Sequence, residues 1–293
     1  MQPMDKSKSV ELNLAGRVLT LSTGLFANQA HGAVVASLGD TQILATAVMS
    51  ESPREGIDYF PLMVDYEERF YASGKIKGSR FVKREGRPSD NAVLTARLID
   101  RPVRPLFPKN MTNDVQVIGT VLSADLEVDP GPIGIIAASA ALLISGMPFK
   151  GPVAAVRMGY VTDSEGKDVF VVNPTYEQVQ KGKLDLVVAG TLDAITMVES
   201  AAKEVSEDII LQALEVAHKH IKTLCQLQLD FAKQLGVKTL EYLMRKDNPL
   251  AVKAVSETIS EKEIEDARGK TKAEFKEKLH VLEKKLFEKY AGQ

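Results

Sequence analysis

A single cysteine, Cys225, occurs in 293 residues, which excludes an intramolecular disulfide and points to a reducing compartment. Cys225 falls in an apolar helical run with Ile221, Leu224 and Leu227, the setting of a buried, inert thiol. Long hydrophobic runs are missing as well. The longest, Ile133 to Ser145, is too short and too rich in alanine and serine to span a bilayer. The first sixteen residues are polar and lack the apolar centre of a signal peptide. A cytoplasmic protein without membrane contact is expected. An excess of one charge is also absent: the net charge is −2, so a polyanionic partner could be held only by local clustering.

Chemistry-bearing motifs are equally sparse. There is no cysteine cluster, no phosphate-binding glycine loop of the nucleotide-binding type and no Ser-His-Asp arrangement, which removes a generic small kinase or a triad hydrolase. His218 and His220 stand two apart on a helical pattern and face different directions, while His31 and His280 are isolated. No metal site is expected from these residues.

What is present organises the chain into two parts. From Val10 to about Thr196 the pattern is mostly strand-like. Val10–Leu14 and Arg17–Leu21 form one hairpin about Gly16, and 32–38 and 41–48 a second about Gly39-Asp40. Phe60–Tyr66 continues the sheet, with Pro61 placing it at an edge or a strand start. A helix starts after Ser89 or Asp90 and runs to about Arg104, and Val115–Ala124 is a further strand. Gly134–Ser145, apolar on every side, reads as a central helix packed against a sheet. Two strand pairs follow, 152–162 with 169–172 and 184–189 with 194–199. A long amphipathic helix from Ser206 to Leu235 then stops at Gly236. Beyond it come only helical signals: Asn248-Pro249, the capping box Ser260–Glu263, and Lys272–Tyr290. The expected architecture is an α+β domain of mixed sheets with packed helices over residues 1–235, followed by a small all-α domain over 236–293.

The local charge cluster lies between Arg69 and Lys109, where eleven basic residues face three acidic ones. Lys75, Lys77, Arg80, Lys83, Arg84 and Arg87 sit in a glycine-containing segment expected to be a loop. Arg97, Arg101 and Arg104 follow at spacings of four and three, along one helical face. Guanidinium forks suit phosphodiester oxygens, and Phe81 offers a ring for base stacking. The alternative is a solvated face with Glu85, Asp90 and Asp100 as ion-pair partners.

These residues carry a resemblance. Phe81-Val-Lys-Arg-Glu-Gly-Arg-Pro88, followed by Leu94–Phe107, resembles the first core domain of polynucleotide phosphorylases, with further matches in 24–46, 137–148 and 183–198. Val82 and Lys83 depart from the family's usual Phe and Arg, which weakens stacking and bidentate contact. The resemblance implies an RNase PH-like fold and a phosphate-dependent 3′→5′ exoribonuclease. Such an enzyme degrades single-stranded RNA to nucleoside diphosphates with inorganic phosphate as co-substrate and magnesium in the full enzyme. It also implies a homotrimeric ring, with other RNA-degradation proteins as possible partners. RNA-gripping roles pass to Phe81, Lys83, Arg84 and Arg87, with Arg97, Arg101 and Arg104 behind them.

Catalysis is expected elsewhere, in a second core domain. The family's active domain has a serine-rich phosphate cradle, but Asp129-Pro-Gly-Pro-Ile-Gly134 has no hydroxyl before Ser139. It also has paired aspartates. Asp185 matches the second, Val179 falls near the first, and Glu177 is the only nearby substitute. One carboxylate is a poor metal site, so Asp185 reads as structural. Two rivals stay open: a self-sufficient RNase PH-type exonuclease, and a non-catalytic, exosome-like RNA-binding ring subunit.

Overall fold

Period-two alternation at the amino terminus produces a six-stranded mixed sheet. The computed structural model describes residues 7–76, 86–240, 248–269 and 271–290. Strands β1 (Lys8–Leu14), β2 (Arg17–Thr23), β3 (Gly32–Leu38) and β4 (Thr41–Pro53) meander antiparallel. β6 (Asn113–Ser123) adds antiparallel to β4, and β5 (Leu62–Glu68) lies parallel to β6 at the edge. Pro61 immediately precedes that edge strand, where its missing N–H costs no ladder bond.

A second, four-stranded antiparallel sheet has the order β10-β9-β7-β8, from β7 (Ala154–Thr162), β8 (Asp168–Val172), β9 (Leu184–Gly190) and β10 (Ile195–Ala202). The pairing of β7 with β9 joins the two hairpins that the sequence shows separately.

Helix α1 (Asp90–Val103) packs on β5, and α2 (Gly131–Ile144) packs on β3, β4 and β6 on one side and β7 on the other. The first twelve residues of α2 are all buried. Only a helix without a polar face can sit there, which is why its sequence shows no amphipathic period. Ile133, Ile135, Ile136 and Leu142 are at most 2% exposed, each contributing about 1.5–3 kcal/mol of burial. Ser139, its one buried hydroxyl, accepts from Val153 N at 2.9 Å. The short α3 (Tyr176–Lys181), which the sequence reading does not anticipate, opens with a capping box at Thr175 and Gln178. α4 (Glu207–Leu235) buries Ala213, Ala217, Ile221, Leu224, Cys225, Gln228 and Phe231 on one stripe. It ends at Gly236, whose φ of 65° is the left-handed cap. Burial pushes the Cys225 thiol up to about 12, so it is protonated and inert.

Two compact units result, Met1–Met244 and Arg245–Gln293. The first extends past Gly236 because Leu240 N donates to Gly146 O at 2.8 Å. The second contains α5 (Pro249–Thr258), α6 (Glu261–Ala267) and α7 (Lys272–Tyr290). Asn248 caps α5, and the Ser260–Glu263 capping box opens α6. Lys285, then the Ser260 amide and hydroxyl, hold the Glu263 carboxyl down to about 2. No helix among the described residues is long and apolar enough to cross a membrane.

Close approach of sheet and helix makes a sharp test. A Cβ on Gly32 would lie 2.0 Å from Ala141 O of α2, whereas one on Gly16, at φ +89°, meets open space. Gly32→Ala is expected to cost about 3 kcal/mol by overpacking and Gly16→Ala about 1 kcal/mol by strain, read by urea denaturation.

Candidate nucleic-acid interface

The basic cluster emerges between two fixed anchors. On its amino-terminal side, Phe70–Ser73 is a 3-10 turn closed by Gly74 at φ 70°, and Ala124 N donates to Ala72 O at 3.0 Å. On its carboxy-terminal side, Ser89 caps α1, accepting from Ala92 N at 3.0 Å while donating to Glu68 at 2.8 Å. Residue 68 ends β5, so one serine ties helix to sheet where the segment returns. Phe81, Lys83 and Arg84 lie outside the described residues. Lys75 and Arg87, which flank them, are exposed and have no ion-pair partner among the described residues.

The three helical arginines divide. Arg97 is exposed, without an ion-pair partner among the described residues, beside a smaller groove between α1 and β5. Arg101 turns the other way and pairs with Glu199 of β10. Arg104 is bonded within the protein. Its Nε and Nη2 reach both oxygens of Asp100 at 3.1 and 2.8 Å, Nη1 reaches Phe60 O at 3.2 Å, and Nη2 also reaches Leu62 O at 3.0 Å. Four of its five N–H donors are thereby used, two of them to fasten the end of α1 to the start of β5. The helical spacing puts the three Cα atoms on one face; the neighbours decide where each guanidinium goes.

A cleft of about 1200 Å³ opens beside these anchors, lined by Lys75, Arg87, Asn91 and Thr95 on one side and by one face of the second sheet on the other. On that face Arg157 of β7 lies opposite Val187, with Asp185 diagonal to it on β9. Arg157 Nε and Nη2 grip Asp185 Oδ1 and Oδ2 at 2.6 and 2.7 Å, and Nη1 reaches Asp129 Oδ2 at 2.7 Å. Asp129 Oδ1 accepts from Gly131 N at 2.9 Å, at the first turn of α2. These side chains are only 13, 24 and 27% exposed for Arg157, Asp129 and Asp185. Although burial alone would lower the Arg157 pKa, the Asp185 hydrogen bonds and the nearby Asp129 charge more than offset it and raise it. Burial, then Asp129, also push the Tyr176 hydroxyl up at the cleft wall.

Asp185 is therefore spent on Arg157. Glu177 is exposed and paired with Lys181 at 2.5 Å, and Ser139 is buried under Val153. His218 bonds to Thr191 O at 3.1 Å. Among the described residues no group of three or more His, Cys, Asp or Glu could hold a metal ion, and both cleft aspartates face a guanidinium. The residues present do not fit a divalent cation here. The sequence reading misses Arg157 and its link to Asp129. The signal for it was a lone arginine inside the apolar strand Ala-Ala-Val-Arg-Met-Gly-Tyr-Val, because a charge in such a place is nearly always paired.

Comparison with known proteins agrees with this architecture. Residues 15–148 match the family model described as 3′ exoribonuclease family, domain 1, and residues 151–220 match domain 2 of the same family. The chain belongs to the 3′ exoribonuclease family. Within that family it is 45% identical over 287 residues to a polyribonucleotide nucleotidyltransferase of Gloeobacter violaceus, covering 97% of this chain and 39% of that one. It is 56% identical over 228 residues to the one of Chloroflexus aggregans, covering 78% and 29%. The chain thus spans about a third of the length of these relatives. Among solved structures, rice Rrp46 aligns with TM-score 0.54 at 15% identity, over 78% of this chain and 93% of that one. An Archaeoglobus fulgidus exosome structure with RNA bound to the active site aligns with TM-score 0.53 at 18% identity, over 75% and 87%. These two likenesses bear on the fold, which is that of the RNase PH-like proteins.

Removing Arg157 leaves two half-buried carboxylates facing each other. Arg157→Met is expected to cost about 2–3 kcal/mol, measured by urea denaturation. Asp185→Asn, which keeps one acceptor for the guanidinium, is expected to cost less than half of that.

Proposed function

We propose that this chain is the RNA-gripping half of a phosphate-dependent 3′→5′ exoribonuclease that converts single-stranded RNA to nucleoside diphosphates in the cytoplasm. Phosphorolysis and magnesium binding belong, in this reading, to a second core domain, and the first core contributes to a trimeric ring. The observation that carries the reading is the contrast between two neighbouring charge systems. Arg157, Asp129 and Asp185 engage one another where chemistry would need free carboxylates and a free phosphate cradle. Beside them, Lys75, Arg87 and Arg97 have no ion-pair partner among the described residues. Unpaired cations on a surface are what a phosphodiester chain can use, because binding releases condensed counterions without first breaking an internal ion pair.

In this reading the RNA contacts are Phe81, Lys83 and Arg84 with Arg87, Lys75 and Arg97. Arg101 contributes only on release from Glu199. Arg104 acts through α1 as a positioning residue, holding the helix that carries Arg97.

Two measurements test this. Mixed with oligoadenylate, phosphate and magnesium, the chain is expected to bind RNA and release no ADP. ADP release abolished by Asp185→Asn would instead establish a self-sufficient exonuclease. In RNA titrations at two salt concentrations, Arg97→Ala is expected to lower affinity and reduce the salt slope by about one ion. Arg104→Ala is expected to lower stability by about 1 kcal/mol while RNA affinity per folded molecule holds. Equal losses of affinity from both would remove the division between them.

A further inference from the structure

The position of Asp129 has a use that the ion pair alone does not explain. Its Oδ1 accepts from the amide of Gly131 and its Oδ2 from the guanidinium of Arg157, at 2.9 and 2.7 Å. A helix-start amide and a guanidinium N–H converging on two oxygens of one anion are the kinds of donor with which proteins hold phosphate. The helix is long enough to matter, at fourteen residues, and its N-cap, Pro130, supplies no side-chain acceptor.

A third donor points the same way. Tyr66 is 2% exposed, and its hydroxyl has no hydrogen-bond partner among the described residues. Its ring packs beside Gly119 and Gly134, where a Cβ would come within 3.3 and 3.5 Å of it. After burial, Asp129 is the strongest influence raising its pKa, followed by Glu68 and Tyr176, all residues of the cleft wall. A buried phenol packed against the first turn of α2, with no partner among the described residues, is a donor without an acceptor.

We propose that the Asp129 carboxylate is the internal occupant of an oxyanion site, a built-in competitor that keeps inorganic phosphate and RNA phosphates from lodging in this cleft. With Asp129 in place, Arg157 carries one positive charge against two carboxylates, and a further anion meets net repulsion. Without it, Arg157 and Asp185 balance, and the amide of Gly131, the free Nη1 of Arg157 and the start of α2 face the cleft with positive potential. With Asp129 seated, RNA tracks across the basic surface without being caught at a phosphate pocket that performs no chemistry. The proposal rests on the reading of this domain as non-catalytic.

The test is inorganic phosphate binding by the chain, followed by phosphorus NMR line width and by thermal upshift against chloride at matched ionic strength. Asp129→Ser shortens the side chain yet keeps a hydroxyl for Gly131, and is expected to bind phosphate about tenfold or more tightly than the native chain. Asp185→Asn, which leaves Asp129 seated, is expected to gain nothing. If the serine variant fails to fold, Asp129→Asn keeps the shape without the charge and is expected to show a smaller gain. No gain in whichever Asp129 variant folds overturns the proposal, as does an equal gain in Asp185→Asn, or native binding as tight as the variant's. RNA titration of the native chain tests the gripping reading separately, since its loss would leave the phosphate comparison standing.

Discussion

Everything in the first unit is arranged around one apolar helix. α2 is buried along twelve consecutive residues between two sheets, and the helices α1 and α4 pack against it as well. A segment with no polar face cannot tolerate water on any side, so both sheets must close over it. Their spacing is then dictated by small side chains. Ala137, Ala138, Ala140 and Ala141 let the strands approach, and at Gly32 the approach leaves no room even for a methyl group. The hydrophobic term here therefore acts as a geometric constraint as well as a stabilising one.

That constraint also delivers the cleft. Because α2 is clamped along its length, its first turn emerges at a set place, next to the face of the second sheet that carries Arg157 and Asp185. Asp129, two residues before Gly131, is brought to both at once. The resulting cluster closes a site that the fold would otherwise leave open to anions. Lys75, Arg87 and Arg97, which have no ion-pair partner among the described residues, sit outside it, at the ends of the basic segment and on α1.

Much of this is readable in one dimension, and particular residues show why. The Gly39-Asp40 turn, the Ser89 cap, the Ser260–Glu263 box and the Gly236 stop are local devices whose partners lie within a few residues, so their outcome is written in the adjoining sequence. Pro61 marks an edge or a strand start for the same reason, and it stands just before β5. By contrast, β7 pairs with β9 across a hairpin and the helix α3, and no local signal specifies that. The fates of Arg97, Arg101 and Arg104 were equally hidden. Their periodicity shows a shared face, but Asp100, the carbonyls of Phe60 and Leu62, and Glu199 determine which of them stays available.

By itself the sequence determined the class of fold, the family, the helical tail and the place of the basic cluster, because periodicity, caps and motif spacing are short-range properties. The tertiary structure alone decided which charges are spent and which are available. Asp129 and Arg157 are 28 residues apart, as are Arg157 and Asp185, and a charge is neutralised by whatever the folded chain brings within about 3 Å of it, however distant in sequence.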